Sequence, residues 1–213
     1  MENKMMKFYS RESNMVAIHA IPGHFATSHS HINYYIDITS LKTRIKEAKE
    51  LAKVLCSKIG QLSYVDTIVC MDGTEVIGAF LADEFEKGNF ISTNQHETIY
   101  VVAPELNSSN QIIFRDNIKP SIYGKHVILL LATTTTGKTI RRSAEGIRYY
   151  GGIVESVVSV FGTVDKVDDM PVVTVFSEED LPGYKAYAVQ DCPFCKQGQR
   201  LEAMVNGFGY SKF

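Results

Sequence analysis

The chain has 213 residues, and its 22 lysines and arginines nearly balance 24 aspartates and glutamates, which gives a formal net charge of −2. This near-neutral charge argues against a dedicated nucleic-acid-binding protein, and 45% hydrophobic with 22% charged residues exclude a largely disordered chain. No apolar run approaches the roughly 20 residues of a bilayer-crossing helix, and four cysteines are too few for a disulfide scaffold. We therefore expect a soluble, cytoplasmic protein whose partners include neither nucleic acid nor a membrane.

The N-terminal part of the chain is predicted to be a small cap. Residues 1–38 read as irregular chain or short strands and contain four of the six histidines. The clearest helix runs from about residue 41 to 59, because apolar residues recur there at helical spacing with lysines and glutamates between them. Thr39 or Ser40 is suited to cap the start of this helix, and Gly60 to end it.

Short apolar runs then alternate with helical patterns. Strands are predicted at Asp66–Cys70, Thr98–Ala103, Val127–Leu131, Ile153–Phe161, Val172–Phe176 and Ala186–Val189, a short strand or hairpin arm at Gln111–Arg115, and helices near Glu75–Lys87 and Lys138–Tyr150. This order predicts an α/β fold with a doubly wound, mostly parallel sheet flanked by helices. Since no repeat or linker interrupts the chain, we expect one domain over 1–213, made of the cap, a core sheet at 60–190 and a tail at 191–213.

Two turns at the carboxyl ends of predicted strands, 71–74 and 132–139, are the places where such sheets bind ligands. The second turn reads ATTTTGKT and satisfies a loose Walker A pattern between a strand and a helix. A Walker loop needs glycines to wrap a polyphosphate, and four successive threonines disfavour that conformation. Hydroxyl groups, backbone amides and a helix N-terminus suit a single phosphate monoester better. Triphosphate hydrolysis and an ordinary threonine-capped turn are the alternatives.

The longer stretch VILLLATTTTGKTIRRSAEGIRYYGG resembles the phosphoribosyl-diphosphate loop of type I phosphoribosyltransferases. The resemblance implies that the 5′-phosphate is held by Thr133, Thr134, Thr135, Thr136, Gly137, Lys138 and Thr139. In the family, two acidic residues before this loop bind the ribose hydroxyls, but Leu131 and Ala132 occupy those positions here. Losing two charge-assisted hydrogen bonds, at about 1.5–3 kcal/mol each, weakens binding of the phosphoribosyl donor.

Residues 23–37, GHFATSHSHINYYID, resemble the N-terminal substrate segment of orotate phosphoribosyltransferases. The resemblance implies a base-binding role, with ring stacking by tyrosines, for Phe25, His31, Tyr34 and Tyr35. The alternative is that the adjacent tyrosines simply belong to a core strand. The four histidines of 1–38 also raise the alternative of a metal site, but no cysteine or carboxylate completes a ligand spacing nearby, so we expect no metal ligands.

The segment MDGTEVIGAFLADE after strand 66–70 resembles the diphosphate-binding loop of the family and its helix. The resemblance implies that diphosphate is bound by Met71, Asp72, Gly73 and Thr74. A helix N-terminus favours an anion, and Asp72 is suited to coordinate a Mg²⁺ ion carried by the diphosphate. The alternative is that Asp72 only caps the helix that begins near Glu75.

Two further segments complete the resemblance. Residues 104–125 correspond to the mobile catalytic loop of orotate enzymes, in which Arg115 and Lys119 are the basic residues that can replace the usual lysine. The DCPFCK motif of the tail resembles that of some orotate phosphoribosyltransferases. A lone Cys-x-x-Cys pair, Cys192 and Cys195, predicts an unliganded turn, with a zinc ion shared across a dimer or a redox pair as alternatives.

The resemblance implies an orotate-type phosphoribosyltransferase of pyrimidine biosynthesis. Such an enzyme transfers a 5-phosphoribosyl group from phosphoribosyl diphosphate to a nucleobase, releases diphosphate, uses Mg²⁺ and forms a homodimer. Leu131, Ala132 and the missing loop lysine favour an alternative, a catalytically impaired protein of this fold that binds or senses a nucleotide or phosphoribosyl ligand.

Overall fold

The computed structural model describes residues 4–59, 64–88, 90–96 and 98–213. These residues contain five α-helices and fourteen β-strands. The helices are α1 (Thr39–Thr43), α2 (Ile45–Ile59), α3 (Glu75–Lys87), α4 (Lys138–Tyr149) and α5 (Pro193–Lys196). The strands are β1 (Met6–Tyr9), β2 (Ala17–Ala26), β3 (His31–Asp37), β4 (Thr67–Cys70), β5 (Tyr100–Val102), β6 (Glu105–Leu106), β7 (Ile112–Ile113), β8 (His126–Thr134), β9 (Ile153–Gly162), β10 (Lys166–Val167), β11 (Met170–Phe176), β12 (Ala186–Tyr187), β13 (Ala203–Asn206) and β14 (Gly209–Lys212). Most predicted helices and strands form within a few residues of their expected bounds.

The central sheet has the strand order β10–β11–β9–β8–β4–β5, and every neighbouring pair except β10–β11 runs parallel. β8 is buried on both faces. Alternate residues from Ile128 pack into a core shared with α2 and α3, whereas the intervening residues from Val127 pack into a second core with α4. Helices on both faces of a mostly parallel sheet confirm the predicted doubly wound α/β fold.

A second sheet takes the place of the small cap expected at residues 1–38. Its strand order is β12–β3–β2–β13–β14, and β1 also pairs with β2. β2 has ten residues, and its alternating pattern is interrupted by a β-bulge between Pro22 and Phe25, which hides the strand in the sequence. The strand predicted at Ala186–Val189 is shorter than expected and pairs with β3, so it belongs to this second sheet.

The first predicted helix is divided at Arg44, whose backbone is extended (φ −104°, ψ 121°). The N–H of Thr39 donates to the Asp37 carboxylate at 2.8 Å, so Asp37 rather than Thr39 supplies the polar side chain at the start of α1. The predicted end of α2 at Gly60 lies outside the described residues. None of the helices in the described ranges combines the length and the apolar character that a membrane crossing requires.

Asp66, directly before β4, joins three segments of the central sheet. Its buried carboxylate accepts hydrogen bonds from the His126 N–H at 2.9 Å, the Thr93 hydroxyl at 2.7 Å and the Ser92 hydroxyl at 3.2 Å. Burial by itself raises the pKa of Asp66, but these hydrogen bonds outweigh it and leave the pKa below its ordinary value. The ionised carboxylate therefore stabilises the fold.

We expect Asp66→Asn to lower the free energy of unfolding by about 2–4 kcal/mol at pH 7, because buried N–H and O–H donors lose a charged acceptor. The folded pKa lies below the unfolded value of about 3.9, so this stabilisation is present above pH 4 and is lost as the pH falls through the folded pKa. Urea unfolding from pH 7 down to pH 3 measures the difference. Asp169→Asn, at an exposed position, is the control, and a difference that does not shrink at low pH would contradict the assignment.

Candidate functional site

A cavity of about 180 Å³ lies where the carboxyl ends of β4, β8 and β9 meet the second sheet. From the central sheet it is lined by the loop between β8 and α4, by Asp72 and by Phe161. From the second sheet it is lined by the β2–β3 turn at residues 27–30, by Tyr35 and by the β13–β14 turn at residues 205–207. Both sheets therefore contribute walls to one site at the place expected for ligand binding in a parallel sheet.

The predicted phosphate loop lines this cavity. The lining residues from the predicted set are Thr133, Thr134, Thr135, Thr136, Gly137 and Thr139, whereas Lys138 is exposed and lies outside the lining. Thr134 is buried, and its hydroxyl is 3.2 Å from that of Ser159, so it is already paired within the sheet. No side chain in the described part of the chain caps the first turn of α4, which also lacks acidic residues. Its backbone N–H groups are therefore suited to an anion.

Gly137 shapes this loop for two separate reasons. It is the N-cap residue of α4 and has a left-handed backbone (φ +70°), which residues with a Cβ adopt at a cost. A Cβ placed there would also lie 2.9 Å from Cγ2 of Val167. Thr163 holds the preceding backbone, because its hydroxyl donates to the Thr135 carbonyl at 2.7 Å. The loop conformation is thus fixed by residues outside the loop.

The predicted diphosphate turn contributes mainly Asp72 to the cavity. Met71 and Thr74 are buried, and the Thr74 hydroxyl donates to the Met71 carbonyl at 2.8 Å. Asp72 and Gly73 both have positive φ, of 58° and 75°. Burial raises the pKa of Asp72, while a hydrogen bond from the backbone of Ala132 and the charge of Lys42 act in the opposite direction. The hydrogen bond from Ala132 shows that the Asp72 carboxyl reaches from the diphosphate turn to the start of the phosphate loop.

The β13–β14 turn packs directly on this diphosphate turn. The Lys42 ammonium donates to the Asp72 carbonyl at 3.0 Å and to the Gly207 carbonyl at 2.6 Å. A Cβ on Gly207 would lie 2.3 Å from Cγ of Asp72, and one on Gly73 would lie 3.6 Å from the Phe208 ring. Nothing local in the sequence indicates this contact, which covers part of the turn expected to face diphosphate.

Aromatic rings also line the cavity. Of the predicted base-binding residues, Tyr35 lines the cavity, Phe25 is buried in the core, and Tyr34 and His31 lie outside the lining. Phe161 and Tyr184 also line it, with ring centroids 5.1 Å apart in an edge-to-face arrangement. Phe161 lies at the carboxyl end of β9, and Tyr184 lies in the segment that follows β11. The same position at strand ends that indicates turns 71–74 and 132–139 therefore also points to these two parts of the chain.

Known proteins share this fold and part of this sequence. Orotate phosphoribosyltransferase of Pyrococcus horikoshii is 31% identical over 146 residues, which are 68% of this chain and 71% of that protein. The chain belongs to the orotate phosphoribosyltransferase-like family of type I phosphoribosyltransferases. The transcriptional regulator GfcR of Methanococcus vannielii is 24% identical over 148 residues, 67% of each chain. No protein-family model matches the chain.

Solved structures agree with the family assignment at the level of the fold. Orotate phosphoribosyltransferase from Aeropyrum pernix gives a TM-score of 0.54 at 18% identity and covers 76% of this chain and 92% of that chain. A phosphoribosyltransferase from Corynebacterium diphtheriae gives a TM-score of 0.52, also at 18% identity, and covers 76% and 90%. The predicted type I phosphoribosyltransferase fold is thereby confirmed.

This chain differs from the family motif at two places, directly before the phosphate loop and in the segment 104–125. Leu131 and Ala132, at the acidic positions of the family motif, are both fully buried, and Leu131 packs with α4. Arg115 and Lys119 lie outside the cavity lining. Arg115 donates to the Glu105 carboxylate at 2.9 Å, and Lys119 donates to Asp116 at 2.6 Å, both on the surface. The catalytic role predicted for these two residues stays a prediction.

We expect Gly137→Ala to lower the free energy of unfolding by about 2–4 kcal/mol, through backbone strain together with the contact with Val167. Gly124→Ala is a matched control, since Gly124 has φ +69° and nothing within 4 Å of an added Cβ; it should cost about 1–2 kcal/mol. Calorimetric titration with ribose 5-phosphate should show at least about tenfold weaker binding for Gly137→Ala alone, corresponding to 1.4 kcal/mol. Equal losses of stability and affinity in both variants would contradict the role of this loop.

Proposed function

We propose that the cavity binds a 5-phosphoribosyl ligand and that the protein is a phosphoribosyltransferase of the orotate type. In this reaction the bond from the ribose C1′ to diphosphate breaks, and a ring nitrogen of the nucleobase, having lost its proton, bonds to C1′. The observation that carries the proposal is one cavity whose lining combines the loop before the uncapped N-terminus of α4, the aromatic side chains of Tyr35, Phe161 and Tyr184, and Asp72.

The loop between β8 and α4 is proposed to bind the phosphate of the ligand and so to orient the ligand. Backbone N–H groups at the start of α4 and the hydroxyls of Thr135, Thr136 and Thr139 provide donors for a phosphate monoester without a wrapped polyphosphate loop. Because the 5′-phosphate is remote from C1′, its binding energy is used to fix the ribose relative to the reacting groups. The exposed position of Lys138 speaks against the Walker A alternative, which needs this lysine on a triphosphate.

Asp72 is proposed to be the acidic group next to the ribose and diphosphate. Of the described residues that line the cavity, it is the one carboxylic acid. It fits the Mg²⁺ that the family uses, because Mg²⁺ takes one or two protein carboxylates and completes its coordination with substrate phosphate and water. When bound, Mg²⁺ supplies positive charge that stabilises the leaving diphosphate. Asp72 also stands beside Ala132, where the family motif has an acidic residue.

The aromatic residues of the lining are proposed to bind the nucleobase. Tyr35, Phe161 and Tyr184 provide ring faces and edges, and the β2–β3 turn at residues 27–30 adds polar groups for the edge of a base. A planar pyrimidine such as orotate fits this chemistry. We expect the walls from both sheets to limit the access of water to C1′. Limited access would suppress hydrolysis of the donor, because the transition state resembles an oxocarbenium ion that water also attacks.

We expect Mg²⁺-dependent binding of phosphoribosyl diphosphate to weaken as the pH falls, because burial raises the pKa of Asp72 and its carboxyl therefore takes up a proton at a higher pH than an exposed aspartate does. Asp72→Asn should bind at least about tenfold more weakly at pH 8 and lose this pH dependence, since one charge-assisted interaction is worth about 1.5–3 kcal/mol. Calorimetric titrations from pH 5 to pH 8 measure both effects. Asp169→Asn is the control, and an unchanged pH profile in Asp72→Asn would contradict the assignment.

A noncatalytic binding protein on the same fold is the second candidate function, and two observations favour it. Leu131 and Ala132 provide no side-chain acceptor for the ribose hydroxyls. The β13–β14 turn, through Gly207 and Phe208, covers part of the diphosphate turn. Such a protein would sense a nucleotide or a phosphoribosyl compound without releasing diphosphate.

Turnover separates the two functions. Diphosphate release and loss of orotate absorbance are measured with phosphoribosyl diphosphate, Mg²⁺ and orotate, and then with a panel of other nucleobases. Product formation that Asp72→Asn abolishes supports the transferase. Binding of a nucleoside monophosphate without any diphosphate release would contradict the transferase and support the sensor.

Other parts of the proposal rest on the family resemblance. They are the homodimer, the cytoplasmic location, the role in pyrimidine biosynthesis and the contribution of Arg115 and Lys119 from the 104–125 segment. Alanine variants of these two residues should lower kcat more than the affinity for phosphoribosyl diphosphate, if a loop movement brings them to the leaving group.

A further inference from the structure

Four side chains from distant parts of the sequence meet outside the cavity. They are His24, His31, Cys192 and Cys195, and their ligand atoms all lie within 4.8 Å of one another. Nε2 of His24 is 3.1 Å from Nδ1 of His31, 3.4 Å from Sγ of Cys192 and 3.7 Å from Sγ of Cys195. Sγ of Cys195 is 3.3 Å from Nδ1 of His31. Two imidazoles and two thiols thus converge on a single point.

The local backbone explains how these side chains meet. His24 lies in the β-bulge of β2, where the extra residue redirects a side chain, and His31 begins β3 on the neighbouring strand. Cys192 is the N-cap residue of the single-turn helix α5, and Cys195 lies within that helix. Helix α5 follows β12, and β12 pairs with β3. His24, His31 and Cys192 are buried, whereas Cys195 reaches the surface.

The spacing of these atoms is that of a tetrahedral zinc site. Zinc bonds of about 2.3 Å to sulfur and 2.0–2.1 Å to nitrogen place tetrahedral ligands about 3.3 Å apart for two nitrogens and about 3.6 Å apart for nitrogen and sulfur. The measured 3.1 Å and 3.3–3.7 Å agree with these values. A disulfide of Cys192 and Cys195 would not account for the two imidazoles directed at them.

A second hydrogen bond orients His24 for metal binding. Its Nδ1 is 3.0 Å from the carbonyl oxygen of Gln199, so Nδ1 carries the proton and donates, and the lone pair of Nε2 faces the other three ligands. Ligating histidines typically donate their other ring nitrogen to a carbonyl or carboxylate in this way. The Phe194 ring, with its centroid 5.2 Å from that of His24, covers one side of the group.

We propose that His24, His31, Cys192 and Cys195 bind one structural zinc ion. Two thiolates balance the charge of Zn²⁺, so the buried site is neutral, and four protein ligands leave no position for a substrate or water. The sequence predicts no metal ligands here because the four side chains belong to two distant segments. The β2–β3 hairpin supplies only two histidines and the segment after β12 only two cysteines, so neither pair completes a four-ligand site. The ion would join this hairpin to the segment that leads into β13, and both contribute to the cavity wall.

Metal analysis of the full-length protein, purified without added metal or chelator, tests the proposal. We expect about one zinc per chain, as for structural Cys₂His₂ sites, and less than about a tenth of that in Cys192→Ser and Cys195→Ser. Cys56→Ser is the matched control, because Cys56 is a free cysteine of α2 that does not belong to the group of four ligands, and the zinc content of this variant should equal that of the wild type. Chelation should lower the Tm by at least about 5 °C.

Cobalt substitution provides a measurement that does not depend on the variants folding. The wild-type protein reconstituted with Co²⁺ should show the intense visible absorption of a tetrahedral site and a thiolate-to-cobalt band in the near ultraviolet. Zinc below a tenth per chain together with no tetrahedral cobalt spectrum would overturn the proposal. Iron bound in place of zinc, zinc retained by both cysteine variants, or a Cys192–Cys195 disulfide in the freshly purified protein would overturn it equally.

Discussion

Parallel pairing of β4 with β8 is the constraint on which the site depends. Thr67 to Cys70 align with Val127 to Leu130, and the Met71 N–H continues the ladder with a hydrogen bond to the Leu130 carbonyl at 2.8 Å. Because the strands are parallel, the diphosphate turn and the phosphate loop leave the sheet at one edge and face a common cavity. A shift of one residue would exchange the two buried faces of β8, and the two cores, each filled by aliphatic side chains, prevent it.

The second sheet then determines how much of that cavity a ligand can use. Lys42 is nearly buried, and burial lowers its pKa, yet its ammonium is retained by carbonyls of Asp72 and Gly207. Burying a charge costs free energy unless hydrogen bonds offset it, so this contact is a specific connection rather than incidental packing. It links α1 and the tail to the turn that is proposed to bind diphosphate. Leu131 and Ala132 depart from the family motif, whereas Thr135, Thr136 and Gly137 match it.

The sequence predicted the central sheet well, because its signals are local. The aliphatic run of β8, the strand 66–70 and the helices at 75–87 and 138–149 each combine a clear period with a recognisable start or end. The TTGKT loop lines the cavity, as its place after a buried strand predicts, and its phosphate-binding role stays a prediction. Tyr35 was found through a family resemblance, but nothing local indicated that Tyr34, its neighbour, lies outside the lining.

What the sequence could not predict depends on contacts between its distant parts. The bulge at Pro22–Phe25 interrupts the alternation that would have revealed β2, and β13 pairs with β2 from the other end of the sequence. Lys42 is one of the lysines in the helix predicted at 41–59, and nothing local in the sequence indicates its contacts with Asp72 and Gly207. His24 and Cys192 each belong to an incomplete pair until the fold brings them together. In these cases the residue types indicate what each side chain can bind, but the residues that it contacts depend on the topology of the fold.

The edge of β2 has a consequence for how the chain is made. β1 pairs with residues 17–20 of this edge, whereas Phe25 and Ala26 pair with Ala203 and Met204 of β13. The β2–β3 hairpin and the whole central sheet are synthesised before residues 203–204 emerge from the ribosome. The backbone groups of Phe25 and Ala26 that pair with β13 therefore stay unpaired until the end of translation. Nascent chains on neighbouring ribosomes then expose the same unpaired edge, which is a template for joining one molecule to another.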